Sequence, residues 1–331
     1  MRRLVFITQS VDAEHPALAA TIPKIRALAS RVDELVVLAQ SARGDGLPEN
    51  VDVRVFGSSA RAGRGIRFER ELARALPADA VVAHMIPLYV LLAAPLVRPQ
   101  RIPLLLWYTH WKATWKLRAA ARLATAIVSV DRRSFPLESA KVRPIGHGID
   151  VSEFACADRV ASDGLHALVL GRYSPAKGLP TILEAARRVD GLTLEIHGAA
   201  LNELEQNHRR ELADFGFELG DALPRAALPA LFARADVLVN NMRAGAPDKV
   251  VYEAAAACLP VLASNAVFDE LFGDFPLLFE RDDPESLAGR LRWFTTLSAE
   301  ERANIGHALR ARVASRHSVE TWADGVLEAA A

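Results

Sequence analysis

Short apolar runs alternate with stretches whose apolar residues recur every three or four positions, from one end of the chain to the other. The runs read as buried strands and the longer period as helices packed on them. In the first half the pattern predicts strands near 3–8, 35–39, 51–56, 80–84, 103–108 and 126–130, with helices near 16–30, 64–76, 87–97 and 113–123. A polar segment with Pro and Gly follows at 143–152. The second half predicts strands near 166–171, 192–197, 216–219, 236–240, 260–263 and 276–279. Its helices fall near 177–189, 203–214, 225–234, 249–257, 267–272, 284–296 and 299–315, and an amphipathic segment at 319–330 closes the chain. Such alternation predicts an α/β fold of two doubly wound Rossmann-like domains whose parallel sheets face a cleft. The expected division is 1–148, 149–316 and a final helix over 317–331. A length of 331 residues suits two cores better than one.

Two strand-to-helix junctions carry unusual charge. In ALVLGRYSPAKG (167–178) an apolar strand ends at Gly171 and Arg172, and Ser174-Pro175 read as a helix N-cap and first helical residue. Arg172 and Lys177 then stand at a helix start, a poor place for cations because the dipole there is already positive, unless an anion binds between them and the helix. The second junction follows ADVLV (235–239). There Asp248 reads as the cap of a helix carrying Lys249 in its first turn and Glu253 one turn on. Solvated surface cations at the first junction, and a surface Lys249–Glu253 pair at the second, are the plain alternatives. Loops at the carboxyl ends of parallel strands are where such sheets bind ligands.

These segments resemble a known family. GRYSPAKG is similar to the G-R-x(4)-K-G segment of retaining GT-B glycosyltransferases of the family-4 type. PDKVVYEAAAACLPVLAS resembles their P-x-K-x(3)-E-x-x-A-x-G-x-P-V segment, with Cys258 at the second glycine position. GHGIDVSEF (146–154) resembles their N-G-I/V-D-x(3)-F linker, with His147 in place of Asn. Order and spacing match from about residue 125 to the C-terminus. The resemblance implies that Arg172 and Lys177 hold a donor diphosphate and that Glu253 bonds the ribose hydroxyls. By the same resemblance Gly171, Gly198, Gly245, Lys249 and Val250 are the remaining candidates for binding the donor. Many relatives carry a second Glu eight residues before Glu253, where this chain has Gly245. In the resembling fold the last helix packs back on the N-terminal domain.

Net charge is zero but unevenly spread. Residues 1–150 hold 22 Lys and Arg against 13 Asp and Glu, and the remainder holds 18 against 27. A basic first half predicts an anionic partner there, such as a membrane surface, a lipid phosphate or an acidic glycan, with complementarity between the halves as the alternative. No nucleic-acid recognition motif accompanies the charge. Cys156 and Cys258 show no metal-type spacing and read as reduced, mostly buried thiols. The apolar run in MRRLVFITQS is too short for a signal peptide, and Pro87, Pro95 and His84 interrupt 80–97, so no segment reads as membrane-spanning. A cytoplasmic protein, peripheral on a membrane, is the resulting expectation.

In the first half LLLWYTHW (104–111) reads as a strand that ends in His110, facing the expected cleft. The family often has a His at this place, near the donor sugar, so His110 joins Arg172 and Lys177 as a candidate catalytic residue. A hydrogen-bonded structural His is the alternative. Ser10 and Asp12 follow the first strand and are acceptor-side candidates. Trp111, Lys112, Trp115, Lys116, Arg118 and Arg122 open the next helix, with Leu117, Ala120, Ala121 and Leu123 beside them. Tryptophan flanked by cations marks monotopic membrane contact, against the alternative of a half-buried helix with a solvated basic face.

No Asp-x-Asp, P-loop, G-x-S-x-G or G-x-G-x-x-G motif is present, so no metal and no cofactor are expected. Neutralising a leaving diphosphate then falls to Arg172, Lys177, Lys249 and helix N-termini. The resemblance implies a glycosyltransferase that retains configuration and uses a UDP- or GDP-sugar and a hydroxyl acceptor; the missing Asp-x-Asp makes metal independence the expectation, and the basic first half a lipid-linked or anionic acceptor. No nucleic-acid partner is expected. A non-hydrolysing nucleotide-sugar epimerase of the same fold and a silent nucleotide-sugar-binding protein remain open.

Overall fold

The structure is a computed structural model that describes residues 1–15, 18–44, 46–157 and 164–331. It divides into two units, Met1–Gly148 with Arg316–Ala331, and Ile149–Ser315. Among the described residues no helix is long and apolar enough to cross a membrane.

The first unit alternates β1 (Arg3–Asp12), α1 (Thr21–Ala29), β2 (Glu34–Arg43), β3 (Val51–Val55), α2 (Arg61–Ala75), β4 (Ala80–His84), α3 (Pro87–Val97), β5 (Leu104–Trp107), α4 (Trp115–Leu123), β6 (Ala126–Ser129) and β7 (Val142–Pro144). The strands form one sheet in the order β3-β2-β1-β4-β5-β6-β7, and every pairing is parallel. The inner strands are buried along both faces, which is why they read as continuous apolar runs.

In the second unit β8 (Leu165–Leu170), α5 (Leu179–Ala186), β9 (Leu192–Gly198), α6 (Glu203–Ala213), β10 (Gly220–Asp221), α7 (Leu228–Arg234), β11 (Val237–Asn240), α8 (Lys249–Ala256) and β12 (Val261–Ala263) build a parallel sheet in the order β10-β9-β8-β11-β12. Then come α9 (Asp269–Phe272), α10 (Pro284–Thr296) and α11 (Ala299–Arg316). The last helix, α12 (Val319–Ala330), belongs to the first unit. Its Trp322 meets Trp107 edge-on with ring centres 5.6 Å apart, and Phe6 at 6.4 Å. The buried Lys24 ammonium lies 5.2 Å from the Trp107 ring centre and 5.3 Å from that of Trp322.

Several local expectations change. The strand placed at 216–219 forms instead at Gly220–Asp221, and the one at 276–279 is reduced to a single bridge, Ala263 to Leu278. The first helix begins at Thr21, and positions 16 and 17 of its expected span lie outside the described residues. Ser10 and Asp12 do not follow β1 but lie within it, because that strand continues alongside β2 as far as Arg43. The cysteines are not reduced thiols: Cys156 and Cys258 form a disulfide across 102 residues of sequence. Cys156 is exposed and only Cys258 is buried. Sequence spacing does not reveal this pair, because the approach of the two residues is tertiary.

Cys258 also explains a motif position. Its φ is +55°, the left-handed region, immediately after α8. Glycine enters that region freely, whereas a side chain there costs about 1–2 kcal/mol. The second glycine of the resembling motif therefore corresponds to a helix-ending turn that this chain makes with cysteine.

Candidate functional site

Strand order reverses between β8 and β11 in the second sheet, and the loops at their carboxyl ends meet there. Such a switch point is the usual ligand crevice of an open α/β sheet. Lys177, in a 3-10 turn spanning Pro175–Lys177, comes from the β8 loop, and Asp248 comes from the β11 loop. Their side chains form an ion pair. The Lys177 ammonium also donates to the Leu170 carbonyl at 3.3 Å, and Asn240 Nδ2 donates to Asp248 Oδ2 at 2.7 Å. Asp248 precedes α8 as its N-cap residue, but its carboxylate makes no cap bond, because it is turned toward Lys177 and Asn240. Ser174 likewise caps the 3-10 turn rather than α5, which starts after Gly178.

Two glycines shape this end of the sheet. Gly171 has φ +141°, and a Cβ there would run into the Lys177 side chain. Gly198 ends β9, and a Cβ there would strike the Gly171 carbonyl and the Tyr173 ring. The Tyr173 hydroxyl donates to the Gly220 carbonyl at 2.5 Å, and burial pushes its pKa up to about 12. A cavity of about 480 Å³ opens beside Gly198, lined by Arg209, Arg210, Asp221 and Ala222 among others.

Glu253 is a deeply buried charge of the site, with its side chain 3% exposed. Lys249, one turn earlier on α8, reaches its Oε1 at 3.2 Å. Arg225 donates to the same oxygen at 2.5 Å and pairs with Glu153 Oε2 at 2.5 Å. Burial works to raise the Glu253 pKa, but the Lys249 and Arg225 charges outweigh it and hold the carboxyl below the ordinary value. For Arg225 burial opposes the charge, and Glu253 and Glu153 more than restore it. The Lys249–Glu253 pair is thus not a surface one: its carboxylate is buried and its ammonium half-buried.

Arg172 is placed differently from Lys177. Its guanidinium is about half exposed and pairs at 3.1 Å with Glu205, a buried carboxylate on α6 that also accepts the Leu201 N–H at 2.8 Å. Gly245 donates its N–H to Asn265 Oδ1 at 3.3 Å, and Asn265 Nδ2 donates to the Arg243 and Ala246 carbonyls, each at 3.0 Å. One buried side chain thereby fixes the loop in which Gly245 stands. Val250 is half-buried in the first turn of α8. Sequence reasoning misses Arg225, Glu205 and Asn265, and places Asp248 at the cap position without its side-chain partner Lys177, because each acts on a partner remote in sequence.

His110, Ser10 and Asp12 all belong to the first unit. β5 ends at Trp107, so His110 is three residues past the strand rather than at its end. Its Nδ1 accepts the Lys112 N–H at 3.0 Å, and its ring stacks on Trp111 with centres 5.3 Å apart. In the neutral imidazole that bond assigns the proton to Nε2. The Ser41 hydroxyl donates to the buried Ser10 Oγ at 3.2 Å, and Asp12 Oδ1 accepts the Glu14 N–H at 2.9 Å. On α4 the apolar residues Leu117 and Ala120 are in the core, with Ala121 and Leu123 packed against it. Leu117 and Ala120 therefore add no apolar area to the helix surface, and Ala121 and Leu123 add only part of theirs. Trp115, 68% exposed, remains outside with Lys112, Lys116, Arg118 and Arg122.

Residues 179–328 match a family model described as glycosyl transferase-like. No curated protein matches the sequence. Among solved structures the chain is similar to HepE of Anabaena, solved with UDP-glucose, at 19% identity and a TM-score of 0.77 over 99% of both chains. Sucrose-phosphate synthase of Thermosynechococcus elongatus is similar at 15% identity and a TM-score of 0.78, over 99% of this chain and 98% of that one. A glycosyltransferase of Rickettsia africae is similar at 12% identity and a TM-score of 0.77, over 99% of this chain and 97% of that one. The chain therefore carries the GT-B fold, and a glycosyl transferase-like family model matches it across most of the second unit.

Proposed function

We propose that this protein is a glycosyltransferase of the retaining, family-4 type that moves a sugar from a nucleoside diphosphate to a hydroxyl acceptor. The observation that carries the reading is Glu253, an ionised and buried carboxylate held by Arg225 and Lys249 on the helix that follows the switch-point loops. A carboxylate accepts hydrogen bonds from the two ribose hydroxyls, and nearby cations take the diphosphate. Lys177 uses two of its three donors on Asp248 and Leu170, which leaves one for a phosphate oxygen. Arg172 turns from Glu205 to the diphosphate, and Lys249 adds a third positive charge. UDP is the preferred nucleotide of the proposal, since HepE, of the same fold, is solved with UDP-glucose, and GDP is the second to be tried.

The chemistry is front-side displacement in which the leaving phosphate assists the incoming hydroxyl, with cations in the place of a metal. His110 is assigned to a sugar hydroxyl through Nε2–H, and Ser10 and Asp12 to the acceptor. The acceptor is anionic or lipid-linked, on the strength of the basic first unit, with the protein peripheral on the membrane.

Calorimetry with UDP and 2′-deoxy-UDP, repeated with the guanine pair, tests the ribose role. The ribonucleotide is expected to bind more tightly, and Glu253→Gln to shrink the difference. Equal binding of both forms by the unaltered protein would count decisively against it. Product formation from a panel of nucleotide sugars is expected to persist in excess EDTA, and an activity restored only by Mn²⁺ or Mg²⁺ removes the metal-free mechanism.

A further inference from the structure

Outside the nucleotide site, the fold brings one more set of chemically active side chains together. Cys156, Cys258 and His307 come from three separate segments, and their sulfur and nitrogen atoms lie within 4.8 Å of one another. His307 Nδ1 is 3.4 Å from Cys258 Sγ and 3.9 Å from Cys156 Sγ. We propose that, once the disulfide is reduced, these three residues bind one thiophilic divalent cation of the zinc class.

Four observations carry this. Two thiolates and an imidazole are a zinc donor set, with a fourth position left for water. With Zn–S near 2.3 Å and Zn–N near 2.0 Å, neighbouring ligands of a tetrahedral site stand about 3.5–3.8 Å apart. The sulfur-to-nitrogen distances of 3.4 and 3.9 Å bracket that edge. A purely structural disulfide has no use for an imidazole beside both sulfurs. Moreover, Cys258 holds its thiol at a left-handed backbone position that glycine fills without strain. Cys156 and His307 are exposed, so a reductant and a cation both have access.

The two states exclude each other. A dithiol reductant gives two electrons and two protons to the S–S bond, leaving two thiols here and a disulfide on the reductant. Zn²⁺ then displaces the two thiol protons and takes both thiolates, with neutral His307 donating through Nδ1. A small-molecule disulfide that accepts two electrons from the two thiolates, and leaves as two thiols, restores the bond and releases the ion. The site joins the turn after α8 to the segment following Glu153, so it clasps the two stretches that flank Arg225 and its partners. The inference stands without the nucleotide reading.

The test is Co²⁺ titration of the whole protein, oxidised and after anaerobic phosphine reduction. The reduced protein is expected to take one equivalent, with thiolate-to-cobalt charge transfer in the near-ultraviolet and the visible bands of a tetrahedral ion, and the oxidised protein none. Zn²⁺ should bleach the signal. Cys258→Gly, which suits the local backbone, and His307→Ala should each weaken binding at least tenfold. Far-ultraviolet circular dichroism checks that both stay folded. No charge-transfer band on reduction, or one unchanged in either variant, overturns the proposal.

Discussion

Arg225 donates to Glu253 at 2.5 Å while its other terminal nitrogen holds Glu153 at 2.5 Å. One guanidinium thereby connects the 3-10 turn before α7, the helix α8 and the segment preceding Phe154, over whose ring it lies at 5.6 Å. Glu253 is thus held by two cations, Arg225 and Lys249, of which only Arg225 also reaches Glu153.

Replacing Arg225 by Ala leaves Glu253 buried with Lys249 as its remaining cation. Loss of one member of a buried pair costs more than the pair contributes, and about 2–4 kcal/mol is expected. Urea unfolding at neutral pH measures it. The Glu253 pKa should rise in the variant, because burial then acts with less opposition. An unchanged midpoint and slope would show that the triad is not a support of the fold.

Acid should destabilise the protein before its carboxylates titrate. Burial, aided by the Lys24 charge, lowers His84 to about 3, and burial with the Arg316 charge lowers His317 to about 4. Both stay neutral in the folded state, whereas the unfolded chain takes up protons below about 6.5. The unfolded state then binds more protons, so stability falls as pH drops from about 6.5 to 4, by about 1.4 kcal/mol per pH unit for each histidine. Glu253, with its lowered pKa, acts further down: its contribution is complete above the ordinary carboxylate value and is lost only as pH falls through its folded value. Unfolding curves at pH 7, 6 and 5 should show this slope, and His84→Gln should remove about half of it.

Glu205 competes for Arg172. If Arg172 meets a diphosphate, Arg172→Ala should weaken nucleoside-diphosphate binding by about 1.5–3 kcal/mol, whereas Glu205→Gln should strengthen it by releasing the guanidinium. Lys177→Ala should weaken binding by a similar amount, about 1.5–3 kcal/mol. Calorimetry with UDP separates these outcomes. Identical affinities in all three variants would remove the diphosphate role from this end of the sheet.

The α4 face gives a salt-dependent test. With Leu117 and Ala120 in the core, attraction to a membrane rests on Trp115 and the exposed cations. Sedimentation with anionic liposomes should show binding at low salt that fades as the screening length shrinks to about 8–10 Å. Charge reversal at Lys112, Lys116 and Arg118 should abolish it while leaving UDP affinity unchanged. Absence of binding at low salt returns the acceptor to solution.

The α/β alternation is legible in the sequence because its cause is local: inner strands buried on both faces must be apolar throughout, and helices lying on a sheet must be apolar on one side. The parallel sheets follow from the same pattern. What the pattern misses is pairing at a distance. Asp248 carries the composition of an N-cap, yet a lysine 71 residues earlier takes its carboxylate. Glu205 reads as an ordinary acid in a helix's first turn until β8 brings Arg172 to it. Arg225 has no local signature, and Asn265 reads as a loop residue although its amide fixes another loop. The two cysteines, 102 residues apart, carry no spacing that announces their meeting.

Trp322 packs among Phe6, Trp107 and Lys24, all contributed from the first 148 residues. A ribosome makes those residues before the second unit and reaches α12 only after it. At roughly 5–20 residues per second, on the order of 10–30 s separates the completion of the first sheet from the arrival of its covering helix. Throughout that interval the nascent first unit exposes the apolar surface that Trp322 later covers, while the whole of the second unit is being synthesised. The first unit begins to fold first but cannot finish first, and this interval is when a chaperone would have something to hold.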